Sequence, residues 1–293
     1  MINFTAARLR ALAPALLALA AVLVPPTTAS AAGHPSAPSH AAHPSHAAHG
    51  SHASHGSHAS AHGGRDDRAA FSLLQMNLCS SGYAGCYART EYPKILDEVV
   101  DRVQAHRVDA VTLNEACSAD VAEIAARTGY QYRFATVIYR GAPLDCKTPT
   151  GRGVFGNAVL TKDAVRSSED AAYSVFSGVE ERRWLCVTTA RGVNVCGSHL
   201  STDGEAADST NSVQCAELAA VLAGRGGRTI FAGDVNRHAS CAPEGMWTLT
   251  DDTATQSPGI QHVYGNLAAP KVTVEPATYT DHDAVLVQAR LHR

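Results

Sequence analysis

Eight cysteines constrain this chain more than any other feature. Cys79, Cys86, Cys117, Cys146, Cys186, Cys196, Cys215 and Cys241 all fall beyond residue 70, and they mark out the part that must be compact. An even number of thiols points to disulfides in an oxidising compartment. Strand geometry supplies one pair. If "RRWLCVTT" and "VNVCGSHL" form a hairpin turning at Arg191, Cys186 and Cys196 stand opposite each other within bridging distance. Sequence proximity adds Cys79 with Cys86, Cys117 with Cys146, and Cys215 with Cys241. No C-x-x-C spacing occurs, which argues against a zinc ribbon or a thioredoxin-type site.

The N-terminus agrees with an oxidising destination. Arg8 and Arg10 precede the apolar run "ALAPALLALAAVLV", and Ala29-Ser30-Ala31 reads as a small-residue cleavage site. Residues 1–31 are therefore expected to be a secretory signal peptide and the mature protein to be extracellular. A membrane anchor needs about 20 apolar residues in a row, and Pro25-Pro26 end this run too soon. No second apolar run is long enough to span a bilayer.

Residues 32–70 contain Ala, Ser, Pro, Gly and His, with His40, His43, His46, His49, His52, His55 and His58 at every third position. Such a segment buries almost nothing and is expected to be a disordered linker. Its plain role is a flexible spacer, although imidazoles in this density also attract Zn or Cu.

Residues 71–293 remain as one folded unit, large enough for a two-layered core. The whole chain carries a formal charge of −3. Leaving out residues 1–70 removes four arginines and two aspartates, so the folded unit is mildly acidic. That excludes a strongly basic nucleic-acid clamp. Short apolar segments read as strands at Phe71–Asn77, Val108–Asn114, "YQYRFATVIY", "VFGNAVLTK", the cysteine hairpin, "TIFAG", "GIQHVYG" and "AVLVQARL". Helical periodicity covers "YPKILDEVVDRVQAH", Asp120–Arg127 and Glu205–Leu222. Helices fall between pairs of strands rather than after each one. Two packed sheets with helices outside fit that order better than a doubly wound parallel sheet.

Polar residues interrupt the pattern at strand ends: Asn77, Asn114-Glu115, His199, Asp234 with Asn236, and Asp281-His282-Asp283. Singly, each reads as a turn or capping residue. Together they occupy the places where a rigid scaffold presents a site. Residues i and i+2 of an extended chain share a side, so Asp234 and Asn236 are expected to face one ligand.

"LLQMN", "LNEAC", "GNAVLT", "CGSHLST", "FAGDVNRH" and "TDHDAVLV", in this order across Phe71–Arg293, resemble the endonuclease/exonuclease/phosphatase superfamily. The resemblance implies an α/β (α+β) fold, a four-layer αββα sandwich with two packed mixed β-sheets. It also implies Mg²⁺-dependent hydrolysis of a phosphate ester, with Mn²⁺ or Ca²⁺ as substitutes. Glu115 and Asp281 match the family's metal ligands, with Asn77 beside them. Carboxylate and amide oxygens suit such hard cations. Similarity assigns Asp234 to the attacking water, Asn236 to a phosphate oxygen, and His199 and His282 to proton transfer or phosphate contact. Asn157 and Arg152 are weaker matches for phosphate contact.

Two positions depart from the family. Asn114 stands where a Gln is usual before the metal-binding Glu, and Gln261 where an Asp usually supports the histidine of the last motif. The resemblance points to a secreted phosphodiesterase, a nuclease of low sequence specificity, monomeric and with nucleic acid as substrate. The same fold also serves phospholipase C-type sphingomyelinases, for which Met246-Trp247 is the apolar loop available, and phosphomonoesterases. A non-catalytic metal-binding protein working through its His tract is the remaining alternative.

Overall fold

The computed structural model describes residues 69–292. The segments expected to be a signal peptide (residues 1–31) and, for the most part, a His-rich linker (32–70) lie outside the described residues. Fifteen strands and three α-helices follow in order: β1 (Ala70–Asn77), α1 (Lys94–His106), β2 (Ala110–Cys117), α2 (Ser118–Thr128), β3 (Gln131–Thr136), β4 (Ile138–Tyr139), β5 (Ala142–Pro143), β6 (Phe155–Thr161), β7 (Val165–Ala172), β8 (Glu180–Glu181), β9 (Arg183–Thr189), β10 (Val193–His199), α3 (Thr210–Ala223), β11 (Arg228–Asp234), β12 (Trp247–Thr250), β13 (Gln261–Gly265), β14 (Ala268–Glu275) and β15 (Ala284–Arg290).

Two six-stranded sheets carry the fold, in the orders β14-β15-β1-β2-β6-β3 and β12-β13-β11-β10-β9-β7. Each mixes directions: β1 runs parallel to β2 and antiparallel to β15, while β10 runs parallel to β11 and antiparallel to β9. A small third sheet joins β5, β4 and β8.

Alternation along the central strands sorts side chains into layers. Phe71 and Leu73 of β1 point inward to Val195, Ile230, Val263 and Val287, filling the space between the sheets. Leu74 and Met76 point outward, where Ile95, Leu96, Val99, Val100 and Val103 of α1 and Val121 and Ile124 of α2 cover them. On the far side, Leu218 and Leu222 of α3 pack on Phe231 and Tyr264. The result is the expected four-layer αββα sandwich.

All four disulfides pair as expected: Cys79–Cys86, Cys117–Cys146, Cys186–Cys196 and Cys215–Cys241. Cys186 and Cys196 face each other in the β9–β10 register. The third helix starts later than its composition predicted. Ser209 Oγ accepts from Ser212 N at 3.1 Å, and Asp203 accepts from Thr210 N and Asn211 N, so the first-turn donors are satisfied only from residue 210 onward. Among the described residues no helix is long and apolar enough to cross a membrane.

Candidate active site

One end of the space between the sheets is polar. Asn77 and Asn114 leave the first sheet there, His199 and Asp234 leave the second, and all four side chains are buried. Asn114 Nδ2 donates to Asn157 Oδ1 at 3.0 Å and to Ser198 O at 2.9 Å, while its Oδ1 accepts from Gln75 Nε2 and from the Asp234 amide, each at 2.8 Å. A shorter amide in place of Gln thus ties the sheets together directly beneath the site.

Glu115 reaches that mouth because β2 breaks its own alternation. The β2–β6 register shifts between Leu113 and Ala116, and Glu115 takes a left-handed φ of 52°. Strict alternation would send this side chain to the helix side with Leu113. The extra residue of a bulge re-aims it. A non-glycine residue in this region costs on the order of 1–2 kcal/mol, which the flanking ladder must offset.

Three acids and two imidazoles converge above. His199 Nε2 lies 3.8 Å from Asp234 Oδ2 and 3.9 Å from Glu115 Oε1. His282 Nε2 lies 3.6 Å from the same Asp234 oxygen and 3.9 Å from Asp281 Oδ1. Asn77 Nδ2 donates to Glu115 at 3.1 Å and to Asp234 at 3.0 Å, bridging the two sheets' contributions. Asp281 is placed through its neighbour, since Thr280 Oγ1 donates to Asn77 O at 2.7 Å.

Burial raises the pKa of Glu115 and of Asp234, against the opposing pull of Arg182, Asn77 and His282. Burial also lowers His199 well below its ordinary value, with the charges of Arg182 and His282 acting in the same direction. A neutral His199 makes its approaches to Asp234 and Glu115 contacts of an uncharged imidazole rather than ion pairs.

Two partly desolvated carboxylates sharing one mouth make a site that a hard cation would relieve. Glu115 and the more open Asp281 offer the oxygen donors such a cation takes. Cys79 and Cys86 also have sulfurs within 4.8 Å of a Glu115 oxygen, but as a disulfide they have no thiolate to ligate with. Asn77 is expected beside the metal as an oxygen ligand, whereas here its NH₂ faces the carboxylates and its Oδ1 accepts from Cys79 N. It clamps the acids in this arrangement.

Three sequence readings need correction. Strand alternation does not unite Asp234 and Asn236, because β11 ends at Asp234 and Asn236 has a left-handed φ of 49°. Their link is a turn in which Asn236 N donates to Asp234 Oδ1 at 3.0 Å, with Asn236 Nδ2 donating to Leu200 O at 2.9 Å. Arg152 makes no phosphate contact surface: it is buried in an ion pair with Asp120 and lies 4.0 Å over the Tyr92 ring. Gln261 does not support His282. Its Nε2 donates to the Asp283 carbonyl at 2.7 Å and to Asp251 Oδ2 at 3.2 Å, and the buried His282 Nδ1 has no partner.

Sequence reasoning missed Asp251 and Arg182. Asp251 returns a carboxylate one step behind Gln261. Arg182 sits in the polar stretch Glu180-Glu181-Arg182-Arg183, which looks like a solvated turn, yet the side chain is nearly buried and its charge acts on Glu115, His199 and Asp234.

A four-layer sandwich with paired imidazoles and carboxylates at one end of its inter-sheet space defines a class of phosphoester hydrolase folds. The chain belongs to the endonuclease/exonuclease/phosphatase family, whose model matches residues 89–276. Members of that family are typically hydrolases acting on phosphoester bonds and commonly use a divalent metal. Among solved structures, the chain is similar to TDP2 from Caenorhabditis elegans at TM-score 0.53 and 18% identity, covering 77% of this chain and 76% of that one. An endonuclease/exonuclease/phosphatase protein from Beutenbergia cavernae DSM 12333 matches at TM-score 0.54 and 20% identity, over 76% and 72% of the two chains. The human Nocturnin catalytic domain with a bound sulfate anion matches at TM-score 0.53 and 12% identity, over 76% and 94%. At these identities the likeness establishes the fold. No curated relative is matched by sequence.

Proposed function

We propose that the chain is a secreted, divalent-metal-dependent phosphodiesterase, and specifically a nuclease of low sequence specificity. The observation that carries this reading is the meeting of His199 and Asp234 from one sheet with Glu115, Asp281 and His282 from the other.

Glu115 and Asp281 would hold the cation. Bound there, a divalent ion supplies Lewis-acid stabilisation of the charge that develops on the phosphate and leaving oxygens. Asp234, fixed by Asn77 and the Asn236 amide, orients the attacking water and takes its proton. His199 and His282 each bring an Nε2 to within 3.8 Å of the same Asp234 oxygen, so a single water or phosphate oxygen beside them can contact an imidazole and the carboxylate together. Asn157 Nδ2 is buried without a partner, and Asn236 keeps one of its two amide protons, so both have a donor left for phosphate oxygens.

The test is turnover by the purified chain after metal removal and re-addition of Mg²⁺, Mn²⁺ or Ca²⁺. Substrates are plasmid DNA, RNA, sphingomyelin vesicles, and a chromogenic phosphodiester beside its monoester. Metal-dependent cleavage of nucleic acid, with Asp234→Asn or His199→Ala lowering kcat roughly 10²- to 10⁴-fold, is the expected result. Cleavage of the monoester alone would refute it. Sequencing the N-terminus of protein recovered from culture medium tests export.

A phospholipid substrate is the second reading, because Phe176 and Val179 are exposed on the segment leading to Arg182. Trp247 does not serve that role: its indole N–H donates to Leu267 O at 2.7 Å and its ring packs on the inter-sheet core.

A further inference from the structure

Beside Glu115 the surface opens into a cavity of about 350 Å³, lined by Ser81, Tyr83, Tyr139, Leu144, Phe155 and Arg182, among others. That volume lies at the small end of ligand sites. It has room for one nucleoside-sized group.

Its walls are built rather than incidental. Cys79–Cys86 closes the loop that carries Ser81 and Tyr83. Cys117–Cys146 ties the end of β2 to the loop that carries Leu144 and Lys147. The two loops bond to each other, since Lys147 N donates to Ser81 O at 2.9 Å. Arg182 lies nine-tenths buried against this space, and its Nη1 has no hydrogen-bond partner. A buried guanidinium donor without an acceptor is costly to keep. An anionic oxygen on the occupant satisfies it.

The lining itself carries Glu115, Glu180 and Arg182, and two further cations stand beside its aromatic rings. Lys147 Nζ stands 5.3 Å from the centre of the Tyr83 ring, and the Arg140 guanidinium stands 5.6 Å from that of Tyr139. A cation stands by each ring, so a quaternary ammonium headgroup would meet like charge there. A planar base with phosphates on either side meets the opposite: rings to stack on and cations for its backbone.

We propose that this cavity seats one unpaired nucleotide base next to the scissile phosphate, making the chain selective for single-stranded or frayed nucleic acid over duplex interiors. The inference rests on the phosphodiesterase reading above.

The test uses the full chain with Mg²⁺ and a labelled oligonucleotide presented as a single strand, as a blunt duplex, and as a series in which one abasic position is walked along the strand. The expected result is a single-strand kcat/KM at least about tenfold above the duplex value, and one position in the walk where loss of the base slows cleavage roughly tenfold. In Tyr83→Ala and Tyr139→Ala that intact-to-abasic ratio should collapse toward one. Tyr83 is 57% exposed, so its variant does not depend on a repacked core. Equal cleavage of strand and duplex, an even response along the walk, or an unchanged ratio in both variants overturns the proposal while leaving phosphodiesterase activity standing. Preferential hydrolysis of sphingomyelin vesicles that weakens in these variants assigns the cavity to a lipid headgroup and overturns it as well. Failure to cleave any phosphodiester removes the parent reading, and this one with it.

Discussion

Gln261 shows how one side chain can be read correctly as unusual and wrongly as to its contact. It holds the buried Asp251 with both its backbone N–H and its side-chain amide, at 3.0 and 3.2 Å, and its Nε2 also grips the carbonyl just after His282. Burial raises the pKa of Asp251. A carboxylate at 261 would face a carboxylate at 251 with nothing between them to donate. Gln261→Asp is therefore expected to destabilise the fold by about 3 kcal/mol, as an uncompensated buried charge does. Urea unfolding at pH 7 measures it, and a midpoint equal to wild type would refute this role of the Gln261–Asp251 contact. The glycine of "FAGDVN" has an equally local cause. A Cβ on Gly233 would lie 2.1 Å from Ser198 O of the adjacent strand, so the residue before Asp234 has no room for a side chain.

At the level of elements, legibility followed burial. The central strands β1, β2, β6, β10, β11, β13 and β15 were readable because each is buried along nearly its whole length. The strands that escaped notice, β5, β7, β8, β12 and β14, all lie at sheet edges. β7 reads VRSSEDAA and is exposed through most of its length, so no apolar period marks it. The site was legible for the related reason that its polar residues interrupt apolar strands. Arg182 was not, because it follows a two-residue strand in a wholly polar stretch. The late start of α3 carries its own prediction. Ser209→Ala removes the cap on Ser212 N and should cost roughly 1 kcal/mol, read as a lower thermal midpoint with the active-site geometry intact.

Across the whole molecule, buried imidazoles set the response to acid. His262 is fully buried, with Nδ1 2.7 Å from the Tyr264 hydroxyl and Nε2 3.1 Å from Gly259 O. The Tyr264 oxygen accepts from Cys241 N, so its proton goes to Nδ1 and Nε2 donates to the carbonyl. A second ring proton would displace that donor, and burial lowers the His262 pKa accordingly. Below about pH 6.5 the unfolded chain takes up a proton that the native protein refuses, so stability falls as pH drops and is unaffected by this group above that point. His262→Gln should flatten the decline between pH 6.5 and 5.5 by up to about 1.4 kcal/mol per pH unit, measured by denaturant unfolding at each pH. A slope equal to wild type would show that His262 does not set the acid limb.

The candidate site of this protein is divided between two sheets, and the grease between them is indifferent to direction. Apolar surfaces slide by an ångström at little cost, whereas hydrogen bonds do not. The amides of Gln75, Asn114 and Asn157, spanning that gap to Ser198 and Asp234, therefore act as a dowel that keeps the two halves in alignment. Damage there would disturb the candidate site by misalignment well before it loosened the body that carries it.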